Sequence, residues 1–590
     1  MKLSDYVANF LVEQGVKHTF GITGGAIVHV LDSISKNPNI THICTEHEQA
    51  AAMAADAYSR ITGNLGVGIT TSGPGATNLI TGVCCSYFDS IPALFITGQV
   101  PTSQLKKNSK SRQIGFQETD IVSLFKSITK YCVLIEDPKK IKYELEKAVH
   151  IAKIGRPGPV LIDLPDDLQR AEINPSELEN YIPEKEEKDF SKLREWVDKT
   201  IDLIKNSERP VIIFGNGIKL AQCEERAKNF IENLKFPVAL TWATKDMFPY
   251  NHSLVIEGFG VSSGRAGNFS IQNSDLIIAI GARLNTLKTG NNLSSFAREA
   301  KKVIVDIDSS ELEKYELKGM KTDLLINSDV KDFFDIINEK IDRIEKKDIL
   351  KWTEKINEWK RKYPPCPQEY FFQKEKVNPY VFMDALSKET KEGDIIITDA
   401  GANLTWTMQG YRVRKNQKLF SAFNHSPMGY SLPASIGANF AAKKPIICII
   451  GDGGLQMNIQ ELATVKYHNL PIKIFLFNNH GYGIIQQTQD TWLNSNYVAS
   501  NSESGVAFPD FIKISESYGI PTLSIKNHNE LKEGIKKTLD YNKGPILCNV
   551  EIEQHHKIAP KSAPGKPIED SMPLLDREEF YENMIVKPLD

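Results

Sequence analysis

No apolar run in this 590-residue chain approaches the roughly 18 residues that a membrane-crossing helix requires. The N-terminus lacks a basic segment followed by an apolar one, the pattern of a secretory leader. The eight cysteines (Cys44, Cys84, Cys85, Cys132, Cys223, Cys366, Cys448 and Cys548) form no CxxC pair. That removes the usual zinc and dithiol readings, and several of them sit in apolar runs as small core residues. Charge of either sign is not in excess: 71 basic against 74 acidic residues leave a net −3. There is therefore no electrostatic case for nucleic acid or an anionic membrane as partner. These absences leave the expectation of a soluble, cytoplasmic protein in a reducing compartment.

What is there is length, with an ordinary 41% of hydrophobic residues. A chain this long exceeds one core, and about three or four domains is the expectation. Its most informative stretch begins with the apolar run Pro445–Ile450, followed by Gly451-Asp452-Gly453-Gly454. A helix-like segment is expected from about Asn458 to His468. A second apolar run, Ile472–Phe477, then ends at Asn478-Asn479. Strand, helix and strand in that order predict a right-handed βαβ unit. Asp452 and Asn479 then lie at carboxyl ends of strands, where open α/β sheets bind ligands. A carboxylate and an amide carbonyl are hard oxygen donors suited to Mg²⁺. The glycines allow backbone amides to approach a diphosphate.

The first third alternates in the same way. Leu3–Glu13 predicts an amphipathic helix capped by Ser4. Strands are expected at His18–Phe20, Thr41–Cys44, Val67–Thr71, Ala93–Thr97 and Val160–Leu164. Glu48 stands just after the second of these, before a small-residue helix from Ala50 to Arg60. Alone, such a carboxylate serves equally well to support a helix N-terminus or pair with a cation. The middle third repeats the pattern at Pro210–Phe214, Val238–Thr241, Leu276–Gly281 and Val303–Asp308. The Pro-rich Tyr363–Pro367 marks a linker. In the last third, Ile395–Asp399 reads as a strand, and Leu432–Ala442 as a helix after His425–Tyr430. Together these predict three doubly wound parallel sheets in an α/β chain, with domains at 1–185, 190–345 and 370–560 and a tail at 561–590. The charged stretch Glu184–Asp198 reads as a linker and first helix.

The Gly-Asp-Gly and Asn-Asn pairs, 24 residues apart, resemble the diphosphate and metal motif of thiamine diphosphate enzymes. HEQAAAMAADAYSRITG from His47, TSGPGATNLITG from Thr71 and MGYSLPASIGA from Met428 are similar to the acetolactate synthase catalytic-subunit family. The resemblance implies a pyrimidine-binding domain, a central domain and a diphosphate-binding domain. It implies that Glu48 hydrogen-bonds the aminopyrimidine so that C2 of the thiazolium is deprotonated, which requires a carboxyl group in a dry site. Cofactor contacts are implied at Gly25, Pro74, Asn78, Gly401, Ala402, Asn403, Met428, Gly451, Asp452, Gly453, Gly454, Asn479, Gly481, Tyr482, Gly483 and Ile484. Mg²⁺ is implied at Asp452, Asn479 and the Gly481 carbonyl. Ile484 is expected to wedge the cofactor into its bent form, whereas a lone Met such as Met428 reads equally as core. Because Glu48 of one subunit faces the diphosphate site of another in this family, a homodimer or homotetramer is implied.

The resemblance further implies a decarboxylating carboligase that condenses two pyruvates to 2-acetolactate with loss of CO₂. The substrate positions would be Phe116, Gln117, Lys130 and Thr488, although a lone Lys such as Lys130 reads equally as a surface residue. Three departures bear on this. Thr488 stands where synthases that use 2-ketobutyrate carry tryptophan, which opens space in the acceptor pocket. The basic segment 105–112 looks like an insertion, either a solvated loop or one that meets an anionic substrate. In the central domain, Gly215, Gly217, Thr241, Gly281, Arg283, Asp306 and Asp329 match the family's FAD positions, but Leu284-Asn285-Thr286 replaces its acidic pair. FAD, another nucleotide or an empty domain all remain open there. The alternatives for function are transfer of the two-carbon unit to another ketone, such as a nucleotide-linked keto-sugar, or simple 2-keto acid decarboxylation. The tail is expected either to fold over the active-site mouth or to extend along the surface.

Overall fold

A computed structural model describes residues 1–184, 188–341, 344 and 347–589. Residues 185–187 of the expected linker and the expected domain ends at 185 and 345 lie outside the described residues. Three six-stranded, wholly parallel sheets follow one another along the chain. The first contains β1 (His18–Gly21), β2 (Thr41–Cys44), β3 (Gly66–Thr70), β4 (Ala93–Gln99), β5 (Tyr131–Leu134) and β6 (Pro159–Pro165). Its spatial order is β2-β1-β3-β4-β6-β5. The second contains β7 (Pro210–Phe214), β8 (Val238–Leu240), β9 (Val255–Ile256), β10 (Leu276–Ile280), β11 (Lys301–Asp306) and β12 (Leu324–Asn327), in the order β12-β11-β10-β7-β8-β9. The third contains β13 (Ile395–Thr398), β14 (Lys418–Phe420), β15 (Ile446–Gly451), β16 (Ile472–Asn478), β17 (Thr522–Ile525) and β18 (Ile546–Glu551), in the order β14-β13-β15-β16-β18-β17.

The inner strands are runs of Ile, Val, Leu and Phe without alternation, because helices cover both faces of each sheet. No helix among the described residues is long and apolar enough to cross a membrane. The expected elements differ from the observed ones in four places. Ser4 does not cap the first helix; Lys2 precedes it without a side-chain bond, and Ser4 is buried inside, accepting from Ser33. The helix expected from about Asn458 to His468 runs over Glu461–Tyr467, and a separate helix, Asp452–Met457, precedes it. The helix Leu350–Lys362, beyond the expected end of the central domain, buries Trp352, Ile356 and Trp359 in that domain's core.

The tail is the fourth. It neither runs free along the surface nor simply covers the mouth. The short hairpin of β19 (Lys561–Ser562) and β20 (Ser571–Met572) carries it back onto the central domain. There Asn268 donates to the Ile568 carbonyl at 2.7 Å, and Arg298 meets Glu569 at 2.8 Å. Trp359 donates to Asn583 at 2.8 Å, and Phe580 joins the core.

The outer domains are locked by two helices, Glu48–Thr62 and Ser431–Ala442. Their small residues allow close approach: a Cβ added to Gly437 would fall 1.9 Å from the Ala54 carbonyl oxygen. Beside this crossing, buried Arg60 binds Asp56 at 2.6 Å and Asp89 at 2.8 Å. Tyr430 donates to Asp56 at 2.7 Å. Asp89 also accepts from the Phe423 and Asn424 backbone N–H groups, so the buried charges are satisfied from both domains.

Candidate active site

Adjacent strands β15 and β16 pair with Gly451 opposite Phe477. That register makes Asp452 and Asn479 emerge side by side. Asp452 is buried; its carboxylate accepts from the Gly453 N–H at 2.6 Å and the Asn479 N–H at 3.1 Å. Burial pushes its pKa up to about 7, against the pull of those amides. A Cβ at Gly453 would lie 2.4 Å from the Tyr482 ring and 2.9 Å from the Met428 methyl carbon. At Gly454 it would lie 1.9 Å from the Asp399 carboxylate, so only hydrogen fits at either position. Asp399 in turn accepts from the Gly429 and Ser431 N–H groups, tying the Met428 loop to the end of β13.

Gly401, at φ 93°, opens the helix Ala402–Gly410, and Asn403 points its carbonyl toward Gly451. Gly481 pairs with Asn501, and its carbonyl accepts from Gly483 at 3.0 Å. Ile484 rests on the core of this domain at the start of the helix Gly483–Trp492. The C-terminal residues expected to hold a cofactor and metal thus form one cradle. Among the described residues no three His, Cys, Asp or Glu side chains cluster as a metal site. One carboxylate, one amide and one carbonyl suit a cation that takes the rest of its shell from phosphate and water.

Glu48 lies in the other outer domain. His47 caps the helix by accepting from Gln49, which makes Glu48 its first residue. The Glu48 carboxylate is buried and accepts from Asn78 at 2.9 Å; Gly75 lies against its other oxygen. Gly73, at φ 57°, packs on the backbone of Gln117, which brings the 113–118 segment over the Pro74 turn. Phe116 projects from that segment 83% exposed. Segment 105–112 is largely exposed and folds round the buried Glu118, which accepts from the Lys106 and Ile114 N–H groups. Gly25 begins a short 3₁₀ turn with open space where a Cβ would stand. Lys130 is not brought into this group. Its ammonium donates to the Ile151 and Ile154 carbonyls at the end of the helix Ile141–Lys153, and burial lowers its pKa to about 8.

One residue that sequence reasoning passed over connects the two halves. Glu461, wholly buried in the C-terminal domain, accepts from the Glu46 N–H at 3.0 Å and from Thr464 at 2.9 Å. The His47 N–H also points at it. It therefore clamps the backbone immediately before Glu48. Gln49 and Asn458 add a second, longer contact at 3.4 Å. A carboxylate on the apolar face shared with Leu462 and Val465 was the signal available in the sequence.

Family models describe the same three parts. Residues 1–124 match the N-terminal thiamine pyrophosphate (thiamine diphosphate) binding domain of thiamine pyrophosphate enzymes. Residues 197–337 match their central domain, and 399–550 their C-terminal binding domain. A probable acetolactate synthase large subunit of Methanocaldococcus jannaschii is 36% identical, aligned over 96% of this chain and 94% of that protein. The acetolactate synthase large subunit of Pyropia yezoensis is 33% identical over 94% of this chain and 92% of that protein. That of Buchnera aphidicola is 32% identical over 95% and 96%.

The chain belongs to the acetolactate synthase large-subunit family.

In this acetolactate synthase family member the central sheet has its switch point between β7 and β10. There Gly215, Gly217, Thr241, Gly281, Arg283, Asp306 and Asp329 all line one cavity of about 420 Å³. A Cβ at Gly215 would fall 2.2 Å from the Gly281 oxygen, so the two loops interlock only as glycines. Arg156, from the 155–159 turn of the first domain, closes one rim by binding Asp308 and Glu311, each at 2.9 Å. Thr488 lies elsewhere, along a groove of about 1030 Å³ between its own helix and residues 561–567. Its hydroxyl donates back to the Ile484 carbonyl at 2.9 Å.

Proposed function

We propose that this protein is a Mg²⁺- and thiamine-diphosphate-dependent carboligase that takes pyruvate as donor and condenses it with a second pyruvate to give 2-acetolactate and CO₂. The observation that carries the reading is the pairing of a metal-type cradle at Asp452 and Asn479 with a dry, amide-supported carboxyl at Glu48. Bound thiamine diphosphate supplies the electron sink for loss of CO₂. Asp452, Asn479 and the Gly481 carbonyl would hold Mg²⁺, and the Gly453–Gly454 turn would lie along the diphosphate. Met428 and Ile484 would shape the space for the rings. Glu48, fixed by Asn78 and by the Glu461 clamp, would share a proton with a ring nitrogen.

The two halves are supported here on different domains, and apolar side chains stand exposed near them: Met457 at 45%, Ile485 at 45% and Phe116 at 83%. A second copy covering these residues would complete each site, which supports a homodimer or higher two-fold assembly. FAD is proposed for the central cavity, whose glycine crevice and Asp306 suit a nucleotide at a switch point. The acceptor has a second reading. The groove beside Thr488, also lined by Lys561 and Trp492, is far larger than a second pyruvate needs, which favours a bulkier ketone.

Incubation of the pure protein with thiamine diphosphate, Mg²⁺ and pyruvate, following CO₂ and acetolactate together, tests both. Formation of both products supports the synthase. Slow CO₂ release without acetolactate moves the acceptor to the larger ketone, and no CO₂ removes pyruvate as donor.

A further inference from the structure

The central cavity holds two polar atoms that the fold leaves unused. Lys288 is 7% exposed, yet its Nζ has no hydrogen-bond partner among the described residues. Asn285, one turn earlier, has its Oδ1 buried and equally unpartnered, while its amide nitrogen is fixed on Asn424 at 3.1 Å. Both line the 420 Å³ cavity. The ammonium sits 4.4 Å from the centroid of the Trp242 ring and 5.9 Å from that of Phe259. Aromatic faces attract a cation but offer it no lone pair in the N–H direction. Burial lowers the amine's pKa to about 7, with no carboxylate opposing the shift.

A buried donor and a buried acceptor left open on one cavity wall are a cost to the empty protein. They become an asset when a ligand presents the complementary pair. A planar imide does so: a ring carbonyl accepts from the amine while the adjacent ring N–H donates to the amide oxygen. The flanking Trp242 offers the flat apolar surface that such a ring stacks against.

Resting on the proposal that FAD occupies this cavity, we infer that Lys288 and Asn285 bind the imide edge of the flavin ring, with Trp242 beside it. The glycine crevice and Asp306 then serve the nucleotide end of the same molecule. A nucleotide without an imide, such as ADP, leaves both atoms open, so the pair selects flavin over adenine nucleotides.

Nucleotide-stripped full-length protein is titrated with FAD and with N3-methyl-FAD, whose ring lacks the N–H, by flavin fluorescence. The wild-type protein binds FAD at least tenfold more tightly than the N3-methyl form. Lys288→Met loses at least tenfold in FAD affinity, and Asn285→Ala abolishes the discrimination against N3-methyl-FAD. Melting of the ligand-free proteins separates this from a structural role: Lys288→Met melts at or above the wild-type temperature. Wild-type binding of FAD with no loss in Lys288→Met overturns the imide contact and leaves the FAD reading standing. Equal binding of FAD and N3-methyl-FAD by the wild type does the same, as does a lower melting temperature for ligand-free Lys288→Met. A wild-type protein that binds no FAD overturns both.

Discussion

The first and third sheets share one strand order, their second, first, third, fourth, sixth and fifth strands side by side, whereas the central sheet runs third, second, first, fourth, fifth, sixth. The outer domains are thus one scaffold used twice, and their equivalent loops carry different chemistry. After the second strand, one presents Glu48 and the other Met428. After the third, one presents Gly73-Pro74-Gly75 and the other Asp452-Gly453-Gly454. The fourth strand of one ends on Gln99, and that of the other leads into Asn479 and Gly481. The helices that follow the second strands, Glu48–Thr62 and Ser431–Ala442, are the pair that pack on each other. Under the proposed function, the same backbone would build a proton-sharing wall in one domain and an anion-and-metal floor in the other. Function lies in the loop residues rather than in the fold.

The most damaging way to break this division of labour is to neutralise one half alone. Glu48→Gln is expected to lower the rate of CO₂ release from pyruvate by about 10²- to 10⁴-fold, the usual worth of a general acid–base. Thiamine diphosphate content after gel filtration should be unchanged; loss of the cofactor would place Glu48 in the floor. Asp452→Ala should do the reverse, with cofactor affinity down at least about tenfold for the loss of a charge-assisted contact. Isothermal titration with thiamine diphosphate and Mg²⁺ checks it, and unchanged affinity would remove Asp452 from the metal site. Next comes the joint between the two outer domains. Gly437→Val places atoms where Ala54 already stands, and a loss of about 1–3 kcal/mol is expected from such overpacking; a melting temperature equal to wild type would contradict the close crossing.

The smallest effect sharpens the contact between the halves. Burial raises the Glu461 pKa from 4.5 to about 7. An acid raised by folding contributes stability that is full below about pH 4.5 and lost as pH rises through about 7, a swing of at most about 3 kcal/mol. The melting temperature of Glu461→Gln should therefore fall less between pH 5 and 8 than that of the wild type. Parallel curves would mean that Glu461 does not titrate in that window.

Local patterns made much of this readable beforehand. Asp452 and Asn479 were recoverable because two apolar strands fix the spacing and register between them. The seven central positions came from the family resemblance; they stand at or just beyond strand ends, which is why they line one cavity. What escaped had no local signature. β9 has two residues and β14 three, too few for a hydrophobic period. Glu461 acts on a backbone 415 residues away, and Lys288 stands out only because its buried amine lacks a hydrogen-bond partner among the described residues. Ser4 satisfied the capping rule yet was drawn into the core by Ser33.

The docking of the tail sets a timetable for biosynthesis. Domains emerging from the ribosome generally fold as units, the N-terminal one first. One core of the first domain, from Leu3 to Leu178, can form from residues already made. The central one cannot, because Ile568 and Phe580 belong to its interior and Asn583 satisfies its Trp359. Its outer face must wait until the third domain has been synthesised, so the nascent protein carries an unfinished middle throughout that synthesis. Emergence of Ile568, Phe580 and Asn583, rather than of Lys362, is the event that lets the central domain close.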